Sequence, residues 1–392
     1  MTRVLVLLEN LPLERDARVK RECRALLAQG YDVDVVCPRG RDTEPVPGVR
    51  LHGYPPTPEW SSPLGFLVEY GWALAASAVL TARAVRRDGV DAIQACNPPD
   101  LFWLVAAPYR RRGVRFVFDH HDLSPELFEA RYGRSTGLLA GLLRLMERAT
   151  LRTADHVIAT NDSVRAVSLR RGGRRPESVT VVRNGPELHR LHRRPACPEL
   201  RAGRPHLAVW VGVVGVDDGV ADALYAVREL VQTRGRTDCS FVFIGDGEQL
   251  GACRALAEDL GISAHVTFPG WLEQDEVFVH LATADLALAP DPKSRRSDSA
   301  TMMKVLEYMA AGLPVVAHDV AETRVSAGEA AVYVEPGPAA YAAAIDELLA
   351  DPGRRAAMGE EGRRRIADGL SWDHQVQGYL AVYDRLLRGA RG

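Results

Sequence analysis

Short β-branched runs alternate with longer helical patterns along almost all of this chain. In the first half the runs fall at Val4–Leu8, Val33–Cys37, Ala92–Ala95, Phe116–Asp119, His156–Ala159 and Val179–Val182. In the second they fall at Ala208–Val213, Ser240–Ile244, His265–Phe268, Leu286–Ala289, Val315–Ala317 and Val332–Val334. A strand with water on one face alternates apolar and polar residues. These runs are mostly apolar, so both faces must be covered. The intervening helices supply that cover, and the pattern predicts parallel sheets in an α/β fold.

Between the two series lies HRRPACPELRAGRPH, His192–His206, rich in proline and arginine and without periodicity, which reads as a linker. A chain of 392 residues is long enough for two cores. Two Rossmann-like domains are expected, with ligands at the carboxyl ends of the strands, in a cleft between the domains. A net charge of −2 with scattered arginines gives no basic surface, so nucleic acid is not an expected partner. The six cysteines show no CxxC spacing and read as free thiols of a reducing cytoplasm, with no signal peptide ahead of the first strand. Residues 65–85 contain Glu69 and Arg83, and residues 137–151 are too few to span a bilayer. Both are read as core helices. Leu138–Arg152 also admits a peripheral contact at the inner membrane face.

The turn after the first strand, ENLPLERDARVKRE, has no glycine, which excludes the close pyrophosphate approach of a GxGxxG motif. GDGEQLG, Gly245–Gly251, is open to two readings, a tight turn or a loop beside a nucleotide base. DVD, Asp32–Asp34, starts a strand instead of following one, so a structural role is expected and no metal is implied. FVFDHHDLSPEL ends a strand at Asp119 and delivers His120, His121 and Asp122 to its carboxyl end, where imidazole and carboxylate suit acid–base work. In ACNPPDL, Asn97 and Asp100 either touch a ligand or fix a proline turn. In RNGPEL, Asn184-Gly185 alone signals a turn. SDSATMMKVLEYMAAGLPVVA pairs a disordered-looking loop with a helix from Met302 to Ala311, for which Ser299 is the expected N-cap and Gly312 the stop. Lys304 and Glu307 then share one face near the helix start.

The order FVFDHHDLSPE, VIATNDS, VVRNGPEL, FVFIGDGEQL, VTFPGWL and VLEYMAAGLPVVA resembles the retaining glycosyltransferases of family 4, with the GT-B fold, over nearly the whole chain. DARVKRE and the final SWDHQVQGYLAVYDRLL fit one bacterial branch. The resemblance implies an acceptor-binding domain over residues 1–195 and a nucleotide-sugar-binding domain over residues 205–372. Residues 373–392 form a helix that packs back on the first domain. It makes Glu307 the ligand of the ribose hydroxyls and sets the diphosphate at the N-terminus of its helix, with Lys304 as charge partner. Thr301, Ser299, Met302, Gly212, Gly215, Gly245, Trp271 and Leu272 complete the donor list. His121, Asp122 and His120 are the implied catalytic group, and Asp16, Arg18, Asn97 and Asp100 the implied acceptor contacts.

Two departures stand out. The family's first glutamate, eight positions before Glu307, is replaced by Ser299, and the arginine and lysine of its GR…KG segment are replaced by Val213 and Asp218. Lys304, Lys293, Arg295 and Arg296 are expected to supply the missing charge. The implied reaction moves a hexose from a UDP or GDP sugar to an unidentified acceptor, retaining configuration, with no metal or other cofactor. A non-catalytic sugar-nucleotide-binding subunit and a nucleotide-sugar epimerase are the rival readings.

Overall fold

The computed structural model describes residues 2–42, 44–57, 63–132, 137–188 and 194–388. The chain divides into two compact units, residues 1–183 with 375–392 and residues 184–374. The first holds β1 (Arg3–Leu7), β2 (Asp32–Pro38), β3 (Val49–Tyr54), β4 (Ala92–Cys96), β5 (Arg115–His120), β6 (His156–Ala159) and β7 (Val179–Val181). Their order is β3-β2-β1-β4-β5-β6-β7, all parallel. The second holds β8 (His206–Val211), β9 (Cys239–Ile244), β10 (Val266–Gly270), β11 (Leu286–Ala289), β12 (Val315–His318) and β13 (Ala331–Val334), ordered β10-β9-β8-β11-β12-β13 and again parallel. In both, the order reverses beside the first strand, which opens a ligand crevice at the carboxyl ends there.

Each sheet is covered on both faces. In the second unit Trp210, Phe241 and Phe243 point into one core, while Val209, Val242 and Ile244 point into the other with Tyr308 and Met309. β3 is the strand that the apolar-run pattern misses. It is an edge strand with Arg50 exposed, so it needs no apolar residue at every position. The Asp32–Asp34 pair is structural: Asp32 bridges Arg3, and buried Asp34 holds His52 at 2.8 Å.

The chain passes between units at Arg183/Asn184, earlier than the proline-rich stretch. That stretch is docked on the second unit: Cys197 N–H donates to Thr283 Oγ1 at 2.9 Å, and Arg201 bonds Asp285 and the Thr283 carbonyl. Its first residues, 192 and 193, lie outside the described residues. The return crossing is at His374/Gln375, inside the helix Trp372–Tyr383. Gly185 is more than a turn signal, since a Cβ there would stand 2.0 Å from the Leu370 carbonyl. Five of the six cysteines are buried, and all are free.

The reading of two core helices needs correction. The helix Leu138–Thr153 buries Ala140, Glu147, Thr150 and Leu151 but exposes Leu142, Leu145 and 97% of Leu138. The helix Pro63–Asp88 exposes Val68, Trp72 and Val79. No helix among the described residues is long and apolar enough to cross a membrane.

Candidate active site

In the second unit, three strand-end turns meet at the carboxyl edge of the sheet. Gly245, at φ 139°, follows β9; a Cβ there would lie 1.8 Å from the Gly212 carbonyl after β8. A Cβ on Gly247 would lie 2.5 Å from the Val214 carbonyl. Gly219, at φ 70°, presses on the Pro290 carbonyl after β11, again with no room for a side chain. Gly245 and Gly247 of GDGEQLG are therefore required by turns that touch backbone to backbone, whereas Gly251 has open space around it. Trp271, 66% exposed, and Leu272, packed on the core, follow β10 on the same edge.

The helix Met303–Ala311 starts at this edge and ends on Gly312 in the left-handed conformation. Its N-cap is Met302, which makes no side-chain cap bond; Ser299, expected there, lies in a 3-10 turn instead. The Ser299 hydroxyl donates to the Arg295 and Arg296 carbonyls, so it closes its own loop. The loop that looked disordered in the sequence is folded on itself by hydrogen bonds. Buried Ser297 donates to the Pro292 carbonyl, and Asp298 accepts from Ala321 N–H. The Tyr308 hydroxyl accepts from Val211 N–H at 2.7 Å and fixes the helix to β8.

Lys304 projects from the first turn, but its charge is already engaged. Nζ donates to Asp291 Oδ1 at 2.7 Å, stands 3.6 Å from Asp218 Oδ1, and lies 5.0 Å from the centre of the Trp210 ring. Burial, with Asp291 nearby, raises the Asp218 carboxyl, against the pull of Lys304. The buried Oδ2 of Asp291 has no hydrogen-bond partner among the described residues. Two carboxylates therefore face one ammonium where the family pattern calls for added positive charge. Arg296 is paired with Asp217, while Lys293 and Arg295 are exposed. Glu307 is half-buried one turn below Lys304.

In the first unit, β4 and β5 deliver a second polar cluster. His121 Nε2 meets Asp119 Oδ2 at 2.7 Å. Arg18 holds the same carboxylate through Nε and Nη2, at 3.1 and 2.9 Å. Burial alone would raise Asp119, but Arg18 and His121 outweigh it and hold the carboxyl well below the usual range. Burial likewise opposes charge on His121, and Asp119 overcomes it, so the imidazole titrates above its ordinary value. Glu22, also buried and beside Asp119, is pushed up to about 8. Cys96, Asp119 and His121 bring three potential metal-ligand atoms within 4.8 Å of one another. Arg18 already occupies the carboxylate and burial raises the Cys96 thiol, so the trio fits a hydrogen-bonded cluster better than a cation site.

Several expected contacts turn inward. His120 is fully buried, with Nδ1 at 2.9 Å from Ser168 Oγ and its ring stacked on Phe118, so it cannot meet a ligand. Arg18 is buried on Asp119, Glu22 and the Val182 carbonyl. Asp16 caps the helix Ala17–Ala28 by accepting from Val19 N–H. Asn97 is a staple: its Oδ1 accepts from His121 and Asp122 N–H, and its Nδ2 donates to the Asp122 carbonyl and to buried Asp100. These bonds hold Asn97 and Asp100 within the proline turn. Of the two histidines, His121 is the one left partly exposed, and it is bonded to Asp119.

Residues 16–185 match the family described as Glycosyl transferase 4-like domain, and residues 205–351 match Glycosyl transferases group 1. Among relatives, a 2-deoxystreptamine glucosyltransferase of Streptomyces kanamyceticus is 27% identical, covering 85% of this chain and 87% of that one. A glycogen synthase of Mycobacterium tuberculosis is 25% identical, covering 94% and 90%. The sucrose-phosphate synthase of Thermosynechococcus elongatus superposes with TM-score 0.80 at 19% identity, over 99% of this chain and 100% of that one. The Anabaena protein HepE, solved with UDP, gives 0.69 at 15%, over 98% and 100%. With both domain families matched in order and the fold shared, the chain belongs to the glycosyltransferases of GT-B fold, a 4-like domain followed by a group 1 domain.

Proposed function

We propose that the protein is a retaining hexosyltransferase of family 4, in the branch with Ser299 in place of the first glutamate, using a UDP or GDP sugar without a metal. Residues 184–374 bind the donor and residues 1–183 the acceptor. The observation that carries this reading is the edge where three glycine turns converge on a helix start bearing Lys304 and Glu307. Backbone N–H groups and the helix dipole suit a diphosphate, and a carboxylate one turn on suits two ribose hydroxyls. Lys304 provides the local cation without a metal. The leaving phosphate takes the acceptor's proton while the site stabilises its charge, and His121, hydrogen-bonded to Asp119, contacts the reacting sugar. HepE with UDP and glucose, and the named glucosyltransferase, support a hexose donor. The exposed leucines of the helix Leu138–Thr153, beside Arg144, Arg148 and Arg152, support peripheral binding to the cytoplasmic membrane face.

One observation favours a second reading, a non-catalytic nucleotide-binding subunit: Asp218 and Asp291 already engage Lys304. A thermal-shift screen of UDP, GDP, ADP and dTDP, followed by hydrolysis of the matching nucleotide sugars, separates the two. The transferase requires one base to stand out and its sugar nucleotide to be cleaved. Binding without release of nucleotide supports the subunit, and no binding at all refutes both.

A further inference from the structure

Inside the first unit, the C-terminal helix reaches the Asp119–His121 pair through one buried glutamine. Tyr379 and Tyr383, one turn apart, meet at 5.3 Å between ring centres. Both hydroxyls donate to Gln94 Oε1 on β4, Tyr379 at 2.9 Å. An amide oxygen held by two hydroxyls leaves its nitrogen one direction. Gln94 Nε2 accordingly donates to Glu22 Oε2 at 2.7 Å and to Asp119 Oδ2 at 3.4 Å. That same Asp119 oxygen receives His121. Glu22, Gln94, Asp119, Tyr379 and Tyr383 are all 0% exposed, whereas the His121 side chain is 16% exposed. A fully interior chain of hydrogen bonds thus ends on a partly exposed imidazole.

We propose that Tyr379 and Tyr383 are positioning residues for His121: by fixing the Gln94 amide they hold Asp119 in line with the imidazole. If the tail only filled space, phenylalanines would serve as well as tyrosines. Two hydroxyls on one oxygen instead set an orientation, and orientation decides whether Asp119 faces an N–H or a carbonyl. The titratable and charged groups around His121 are Asp119 on β5, Arg18 and Glu22 from the helix Ala17–Ala28, Asp16 at that helix's cap, and Cys96 on β4; Asp122 follows His121 in sequence. Removing the hydroxyls leaves all of them in place and frees only the amide. The catalytic meaning of this link rests on the role given to His121 above, but the link itself is read without any substrate.

The test is the imidazole titration of the full-length protein, followed by NMR with labelled histidine and assigned by loss of the signal in His121→Gln. In Tyr379→Phe/Tyr383→Phe the apparent pKa of His121 should fall toward that of free histidine, by roughly half a unit or more. Arg385→Ala is the comparison, because Arg385 also ties the tail to this unit, through the Glu177 carbonyl at 2.9 Å, but stands outside the relay. It should leave the titration where it was. An unmoved or raised value in the double variant overturns the proposal, as does an equal shift in Arg385→Ala. If the double variant does not fold, Tyr383→Phe alone is read by the same criteria. A failure of nucleotide binding in the thermal screen would touch the transferase reading and leave this result standing.

Discussion

Asp218 changes what Lys304 can do. An ammonium shared by two carboxylates is a weaker phosphate ligand than a solitary one, because its charge is partly spent before the ligand arrives. Asp218 would also stand close to any diphosphate that Lys304 touches. Asp218→Asn should therefore tighten UDP or GDP binding by about 1 kcal/mol, roughly five-fold, and leave the uncharged nucleoside unaffected. Titration calorimetry with both ligands checks this; a gain shared by the nucleoside would mean that the loop, not the charge, had changed. Lys304→Ala should do the reverse, with the loss shrinking as salt is added. Glu307 gives the complementary case. Its carboxylate is expected to accept from both ribose hydroxyls, each bond worth ~1.5–3 kcal/mol, so Glu307→Ala should weaken nucleoside and diphosphate alike. Unchanged affinity for both would remove the ribose role.

The twelve strands read from apolar runs are all present, most of them buried on both faces, where composition alone announces a strand. β3 was illegible because Arg50, His52 and Gly53 break its apolar run, VRLHGY. Helix termini were harder. The cap reading of Ser299 follows a sound local preference, yet its hydroxyl satisfies the preceding turn, and only the folded loop decides between the two. At the site, sequence brought Glu307, Lys304 and His121 into view but could not separate His121 from His120. Neighbouring residues point to opposite sides, and His120 is held inside by Phe118 of its own strand and by Ser168 of a helix far along the chain. The relay through Gln94 was also hidden, since bonded partners in it lie up to 289 positions apart. Glycine spacing, by contrast, was open to two readings, and the packing favours the structural one at Gly245. A Cβ there meets the Gly212 carbonyl at 1.8 Å with φ at 139°, so Gly245→Ala should force the β8 and β9 turns apart. A stability loss of at least roughly 2 kcal/mol, with weaker nucleotide binding, is expected in urea unfolding. A neutral substitution would mean that these turns yield easily.

Across the whole molecule, titration divides the two units unequally. In the first unit, Glu9 and Glu22 are both pushed up to about 8 by burial, with Glu69 and Asp119 respectively adding to the effect. Each holds a proton in the folded state that the unfolded chain releases above its ordinary carboxylate value, so stability falls as pH rises through that window and levels off beyond about 8. His156 acts with the opposite sign. Burial lowers it to about 4, so the folded state declines a proton that the unfolded chain takes up, and stability rises with pH until the ordinary histidine value is passed. His121, raised by Asp119, contributes stability at low pH that is lost as pH climbs through its folded value. From about pH 6.5 to 8 the glutamates and His121 therefore act together, and His156 no longer offsets them. The slope should approach, and not exceed, about 1.4 kcal/mol per pH unit for each group. Because the chain forms two compact units, calorimetry should resolve two transitions. The one that weakens from pH 6.5 to 8 is expected to be the one that UDP or GDP leaves in place, since the nucleotide is assigned to residues 184–374. Glu9→Gln should flatten that transition's pH dependence, having replaced a proton that must be held with an amide that carries its own. If the nucleotide-shifted transition carried the pH dependence instead, the assignment of donor and acceptor to the two units would have to be exchanged.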